Sequence, residues 1–293
     1  MKAPIRKTAF SFVLAFALAQ SAPANLVTNG NFSSVTLETG YTGPALTAPY
    51  SGEILSGASG ETPTPVLTAT DWGSTGYNYV YTPNATFGTT ADAGTNAGGA
   101  LSGAPNQAPG QFNTSAGYGN TYMWGTNNGG TTAITAPPLG GNFIAADGAY
   151  EVGALTQSIT TLTVGKTYVL KFEWAAAQQQ GLTGATTEKW IVSMGTGNVA
   201  GNFSTTTYDL PSEGFSGWMS ATMYFYANST TETLSFLASG TPNGEPPFVL
   251  LADVDLEVVP EFSSWMVFAG FGTACIVFEV VRRRRQFALA LVA

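Results

Sequence analysis

Three carboxylates, Asp253, Asp255 and Glu257, recur at every second position near the end of an alternating run at 248–258. An extended backbone would set neighbours ~7 Å apart on one face. Two chemistries use carboxylates placed this way. A pair can flank a glycosidic bond, provided one of them is sequestered enough to keep its proton. Hard oxygens can also hold Ca²⁺, and Asn29, Asn31 and Glu38 would add ligands to Asp253 and Asp255 if the first and last strands are neighbours. The plain alternative is a solvated acidic strand face that discourages edge pairing. Aromatic side chains form the second set. Trp72, Tyr79, Tyr122 and Trp124, with Tyr77, Tyr81 and Tyr118, fall in a loop-rich first half where exposed rings could stack on sugars. The alternative is that they close a core beneath the loops. Trp174, Trp190 and Trp218 sit in strand patterns and are expected inside.

What is missing narrows the chemistry further. The chain has no histidine, and its one cysteine, Cys275, falls in an apolar run near the end. Cys/His zinc sites, Ser-His-Asp triads and Cys-His dyads are therefore excluded. With the carboxylates placed on an open face, catalysis is not expected, and no cofactor is called for beyond the Ca²⁺ option. Of the ten basic residues, only Lys166, Lys171 and Lys189 lie between Asn25 and Val259, against sixteen carboxylates, a balance of −13. Such a field repels a phosphate backbone, which argues against nucleic acid as a partner.

The elements that must position these residues read as strands. Tyr168, Leu170, Phe172 and Trp174 alternate with Val169, Lys171 and Glu173; Trp190, Val192 and Met194 repeat the pattern, as do Leu234 and Phe236. Phe248, Leu250, Ala252, Val254, Leu256 and Val258 are predicted to share one face, opposite Asp253, Asp255 and Glu257. Thr241-Pro242-Asn243-Gly244 and Pro246-Pro247 punctuate the runs. The expected class is all-β: an antiparallel β-sandwich spanning 25–259, with long loops in its first half such as the Gly/Ala/Asn/Pro-rich stretch 91–110. A split near Pro137-Pro138 is the two-domain alternative.

The two ends differ from this middle. Lys2, Arg6 and Lys7 precede an apolar stretch, and Ala22 and Ala24 supply the small residues a signal peptidase reads, so 1–24 is a predicted signal peptide (a helix) cut before Asn25. At the other end Val259, Pro260 and Glu261 lead into 263–281, nineteen residues with one charge, Glu279. That length spans ~30 Å as a helix. Trp265 marks one boundary, and Arg282, Arg283, Arg284 and Arg285 would hold the other on the cytoplasmic side of the inner membrane.

This tail, 260–285, resembles the PEP-CTERM sorting signal of exported bacterial proteins, a Val-Pro-Glu-Pro-Ser motif followed by one membrane helix and an arginine cluster. Phe262 stands where that family has its second proline, and 286–293 is a short extension beyond the arginines. The resemblance implies that an exosortase cuts near Pro260-Glu261. The start of the middle, Asn25-Leu26-Val27-Thr28-Asn29-Gly30-Asn31-Phe32, resembles the opening of galactose-binding-like jelly rolls, in which such a run begins the first strand and a strand like 248–258 closes the sandwich beside it. The two resemblances together imply a non-enzymatic surface or extracellular-matrix protein, associated with exopolysaccharide and biofilm. A carbohydrate-binding protein specific for one glycan is the second expectation, and a glycan-degrading enzyme the third.

Overall fold

The computed structural model describes residues 24–37, 51–54, 67–84, 88–89, 91, 122–195 and 203–260. The predicted sorting ends, with Ala22, Glu261, Trp265, Arg282, Arg283, Arg284 and Arg285, lie outside the described residues. So do Glu38, Tyr118 and the low-complexity stretch from 92 onward.

Every regular element among the described residues is a strand: β1 (Val35–Leu37), β2 (Ser51–Ile54), β3 (Leu67–Ala69), β4 (Gly73–Ser74), β5 (Asn78–Tyr81), β6 (Pro83–Asn84), β7 (Gly88–Thr89), β8 (Phe143–Asp147), β9 (Leu155–Ile159), β10 (Thr167–Gln178), β11 (Thr186–Met194), β12 (Tyr208–Leu210), β13 (Met219–Tyr226), β14 (Glu232–Thr241) and β15 (Pro247–Val258). They form an eight-stranded sheet in the order β1-β3-β2-β5-β8-β15-β10-β13 and a five-stranded sheet in the order β12-β11-β14-β9-β4, with β6 and β7 as a small ribbon. Apart from the parallel pairing of β2 with β3, the ladders are antiparallel. The chain is a β-sandwich, and strands from both sides of Pro137-Pro138 hydrogen-bond in its larger sheet.

The alternation in the sequence explains the interior. Tyr168, Leu170, Phe172 and Trp174 of β10 meet Trp190, Val192, Met194, Leu234 and Phe236 of the smaller sheet in one core. Phe236 is its hub, with Phe172 edge-on at 5.1 Å, Trp190 at 5.8 Å and Trp72 at 6.1 Å between ring centroids. Trp190 is fully buried and its indole Nε1 donates to the Leu250 carbonyl across the sandwich at 2.9 Å, so its one polar atom is satisfied.

A second core lies on the outer face of the larger sheet. Tyr79, Tyr81, Phe143, Ala145, Ala175, Ala177, Phe248, Leu250 and Ala252 project there and are covered by Met123, Ile134 and Phe215 from the loops, with Trp218 packed alongside. The covering segments are stitched to the sheet: Trp124 N–H donates to the Gln178 carbonyl at 2.8 Å, Ser216 N–H to Ala176 at 3.0 Å, and the Trp218 indole to Thr135 at 2.9 Å. The alanines at 175–177 leave room for this close approach.

The outer core covers only part of the face, and β15 shows where it stops. Lys171 pairs with Asp255 but Glu173 pairs with Ala252, so Asp253 and Val254 together oppose Phe172 in a two-against-one bulge. Asp253 sits at φ 52°, a left-handed conformation that Asp adopts more readily than most residues. The extra residue reverses the parity of the strand. Phe248, Leu250 and Ala252 belong to the outer core, whereas Val254 and Leu256 belong to the inner one. The single face predicted over 248–258 is therefore split, and Asp255 and Glu257 lie on the same outer face as Phe248 and Leu250.

The opening segment runs beside the second half of β15. Leu26 N–H donates to Leu256 at 2.8 Å, Val254 N–H to Gly30 at 2.9 Å, and the Asn25 Oδ1 accepts from Leu256 N–H at 3.0 Å. A Cβ on Gly30 would stand 2.0 Å from the Val254 carbonyl oxygen, so only glycine permits this approach.

Candidate functional site

Below the bulge the outer face of the larger sheet is open. Its edge strand β13 alternates Met223 and Phe225, buried in the inner core, with Ser220, Thr222, Tyr224 and Tyr226, all exposed. Tyr224 is 59% exposed and Tyr226 52%, against 6% or less for Tyr79, Tyr81, Phe143, Phe215 and Phe248 in the outer core. Two residues apart on one strand, the two rings stand ~7 Å from each other along the face. The Tyr226 hydroxyl lies over Gly165, 3.5 Å from where a Cβ would be, in the turn that feeds β10 and carries the exposed Val164.

The register lays polar groups beside these rings. Tyr224 pairs with Val169, and Val169 with Glu257; Thr222 pairs with Lys171, and Lys171 with Asp255; Ser220 pairs with Glu173. Lys171 Nζ is 3.4 Å from Glu257 Oε2, a solvent-exposed pair of the kind that adds at most ~1 kcal/mol. The Ser220 hydroxyl donates to Glu173 Oε1 at 2.7 Å. Burial raises the Asp255 carboxyl above its ordinary value, Glu257 raises it further, and Lys171 opposes both. Asp253 is also raised, by burial first and by Glu173, against a hydrogen bond from Leu139 N–H that lowers it. The face is acidic, with exposed aromatic rings along one margin. Rings of this kind can stack on the C–H faces of a sugar while carboxylate and hydroxyl oxygens bind its hydroxyl groups.

The residues singled out from sequence lie elsewhere or are engaged. Trp72 is 4% exposed in the inner core, its Nε1 donating to the Asn29 carbonyl at 3.1 Å. Tyr79 and Tyr122 are each 5% exposed, the first within the outer core. Trp124 is half-buried, its Nε1 held by the Leu182 carbonyl. Of the two readings open for these rings, burial describes Trp72, Tyr79 and Tyr122, while Trp124 is only partly covered.

Of the groups considered for Ca²⁺, Asn29, Asn31 and Asp253 are committed to loop closure. Asn29 Oδ1 accepts from Ser34 N–H at 2.9 Å while its Nδ2 donates to the Ser34 and Thr70 carbonyls. Asn31 Oδ1 accepts from the backbone and hydroxyl of Ser33. Asp253 Oδ2 accepts from Leu139 N–H at 3.1 Å, fastening the covering loop to the bulge. Among the described residues no three His, Cys, Asp or Glu side chains are grouped to hold a metal ion.

Two buried carboxyl groups stand apart from the open face. Asp147, at the end of β8, has its carboxyl raised to about 6 by burial, although its Oδ1 accepts from Ala149 and Tyr150 N–H. Glu188, in β11, is raised to about 8 by burial, with its Oε1 bonded to the Thr186 hydroxyl and Asp209 adding repulsion. Both are almost wholly shielded from solvent, at 2% and 0% exposure, which leaves no path for a substrate to reach them.

No protein-family model matches the chain, and a comparison with curated proteins gave no match. Among solved structures it is similar to the carbohydrate-binding module TmCBM61, determined with β-1,4-galactotriose, at 12% identity and a TM-score of 0.28 over 41% of this chain and 72% of that one. It is similar also to the non-crystalline-cellulose-specific module CBM28, at 14% identity and 0.30 over 46% and 85%. A third is the enzymatically active domain of bacteriophage CBA120 tailspike protein 4, at 14% identity and 0.27 over 43% of this chain, which spans only 17% of that domain. Scores this low carry no inference about ligand or chemistry. Among the described residues the fold is a two-sheet β-sandwich, with one half of the outer face of its larger sheet covered and the other half open, acidic and edged by tyrosines.

Proposed function

We propose that this chain is an exported, non-catalytic polysaccharide-binding protein of the bacterial cell surface or extracellular matrix. The observation that carries the binding role is the open face of the larger sheet, where Tyr224 and Tyr226 are more than half exposed beside Ser220, Glu173, Lys171, Asp255 and Glu257. The two rings share one exposed strand face, and a flat glycan offers them C–H faces to stack on. Support for the location comes from the sequence alone: the signal-like start, the PEP-CTERM-like tail with its arginines, and the strongly acidic middle. In this scheme signal peptidase cuts before Asn25, the tail holds the precursor in the inner membrane, and an exosortase processes it near Pro260-Glu261.

Retention of the full-length protein in affinity gels containing a polysaccharide tests the binding role. Wild type is expected to be retarded by at least one polymer, and Tyr224→Ala with Tyr226→Ala to migrate as in a gel without it. Equal retardation of both would remove the face from consideration. Intact-mass measurement of the protein from its own cells tests the sorting: a chain running from Asn25 to about Glu261 is expected, and a chain ending at Ala293 would exclude exosortase processing.

A further inference from the structure

Among the described residues the lysines are few enough to locate one by one. Lys171 is on the open face and already 3.4 Å from Glu257; Lys166 lies in the turn at its end; Lys189 belongs to β11 in the other sheet. Against them the face and its bulge carry Glu173, Asp253, Asp255 and Glu257, and the bulge is what brings Asp255 and Glu257 round to this side. Along the face and its bulge, then, stand four carboxylates and one engaged ammonium, with Glu257 in register with Tyr224 through Val169 and the Lys166 backbone bonded to Ala227 at the end of the strand. A polymer with a carboxylate on each sugar would meet like charges at close range, a juxtaposition that opposes binding. An uncharged polymer meets no such penalty, and the same oxygens accept hydrogen bonds from its hydroxyl groups.

We infer that the open face takes an uncharged polysaccharide and excludes uronate-bearing ones, with Tyr224 and Tyr226 supplying the stacking surface and Glu173, Asp255 and Glu257 supplying both acceptors and charge selection. This rests on the binding role proposed above. Tyrosine provides attraction that is indifferent to charge, and the carboxylates provide the discrimination. The bulge at Asp253 is thus a specificity device: without it, Asp255 and Glu257 would take the parity of the inner core.

The test uses the full-length protein against a neutral β-glucan, a neutral galactan, a neutral mannan and polygalacturonate, in affinity gels and by calorimetry at low and high salt. Wild type is expected to bind one or more neutral polymers and to bind polygalacturonate at least tenfold more weakly. Tyr224→Ala should lower neutral-polymer affinity about tenfold or more. The double variant Asp255→Lys, Glu257→Lys should gain at least tenfold in polygalacturonate binding, and the gain should vanish at high salt. Because reversed charges at a bulge could impair folding, Asp255→Asn with Glu257→Gln is run in parallel, and should narrow the neutral-over-uronate preference severalfold with an unchanged melting temperature. Tight, Tyr224-dependent binding of polygalacturonate by wild type would overturn the charge selection while leaving the binding face intact. Failure of all four polymers, with sedimentation showing that Tyr224→Ala turns a dimer into a monomer, would make the face a contact between copies of this chain and overturn both.

Discussion

The outer face of the larger sheet holds two regions built from the same strands. Above the bulge, β10 and β15 present Ala175, Ala177, Phe248 and Leu250 to a lid of loops; below it they present Lys171, Glu173, Asp255 and Glu257 to water. Upper rings such as Tyr81 and Phe143 are fully buried and stack on one another at 5.5 Å, while the lower rings Tyr224 and Tyr226 are more than half exposed. On β10 residue type separates the regions, Ala175 and Ala177 giving way to Glu173 and Lys171 on the same face. On β15 one additional residue does so, exchanging the side facing the core for the side facing out. A single inserted position thus turns one strand from doubly buried to amphipathic.

Mutations can break this division or sharpen it. The largest effect is expected above the bulge: Phe248→Ala should cost about 3–5 kcal/mol through lost burial and a cavity, lowering the melting temperature by roughly 10 °C or more. Tyr224→Ala below it should stay within about 0.5 kcal/mol. Equal losses for the two in thermal scans would mean that both regions are core.

Acid–base behaviour should follow burial in the same way. Asp147, at the margin of the covered half, has a folded-state value of about 6 against 3.8 when free, and Glu188 about 8 against 4.5. Each group is therefore better protonated in the folded state than in the unfolded one. The cost of ionising it is absent below its free value and complete above its folded value, so stability falls as pH rises. Melting temperature should decline from about pH 4 to 8. Asp147→Asn should flatten the part up to about 6, and Glu188→Gln the part reaching about 8. A melting temperature that rises across this range in wild type would show these carboxyl groups to be stabilised in their charged form.

At the boundary, Asp253→Ala removes the Leu139 contact and places a residue with less tolerance for a left-handed backbone at φ 52°, so a loss of about 1–2 kcal/mol is expected. Asp253→Gly should recover part of it, and a Gly variant less stable than Ala would show that the side-chain contact outweighs the backbone. Smallest of all, Lys171→Ala should change stability by no more than about 1 kcal/mol, measured by urea titration, because its ion pair with Glu257 is open to solvent.

The inner core was legible in the sequence because each of its strands repeats with period two: Tyr168 to Trp174, Trp190 to Met194, Leu234 and Phe236 all point where alternation places them. The bulge at Asp253 escaped notice because an alternating string carries no mark for an inserted residue; the break shows only when Lys171 and Glu173 are matched to their partners. For Trp72, Tyr79 and Tyr122 the sequence left exposure and burial both open; that Trp72 packs between the sheets and Tyr79 in the outer core is a non-local outcome that local composition does not encode. Tyr224 and Tyr226 were readable in principle. Ser220 and Thr222 set the exposed parity of β13 and both tyrosines follow it, but beside Met223 and Phe225 they merge into one apolar block.

The Asn25 side chain is clasped by β15 at Leu256, and one residue past the end of that strand Val259 N–H donates to the carbonyl of Thr167, the ladder partner of Tyr226. Entry and exit of the sandwich therefore share a corner with the tyrosine pair. Any anchor attached beyond Pro260 would moor that corner first, so cargo gripped there would ride close to the mooring, and severing the leash would release the grip and its cargo together.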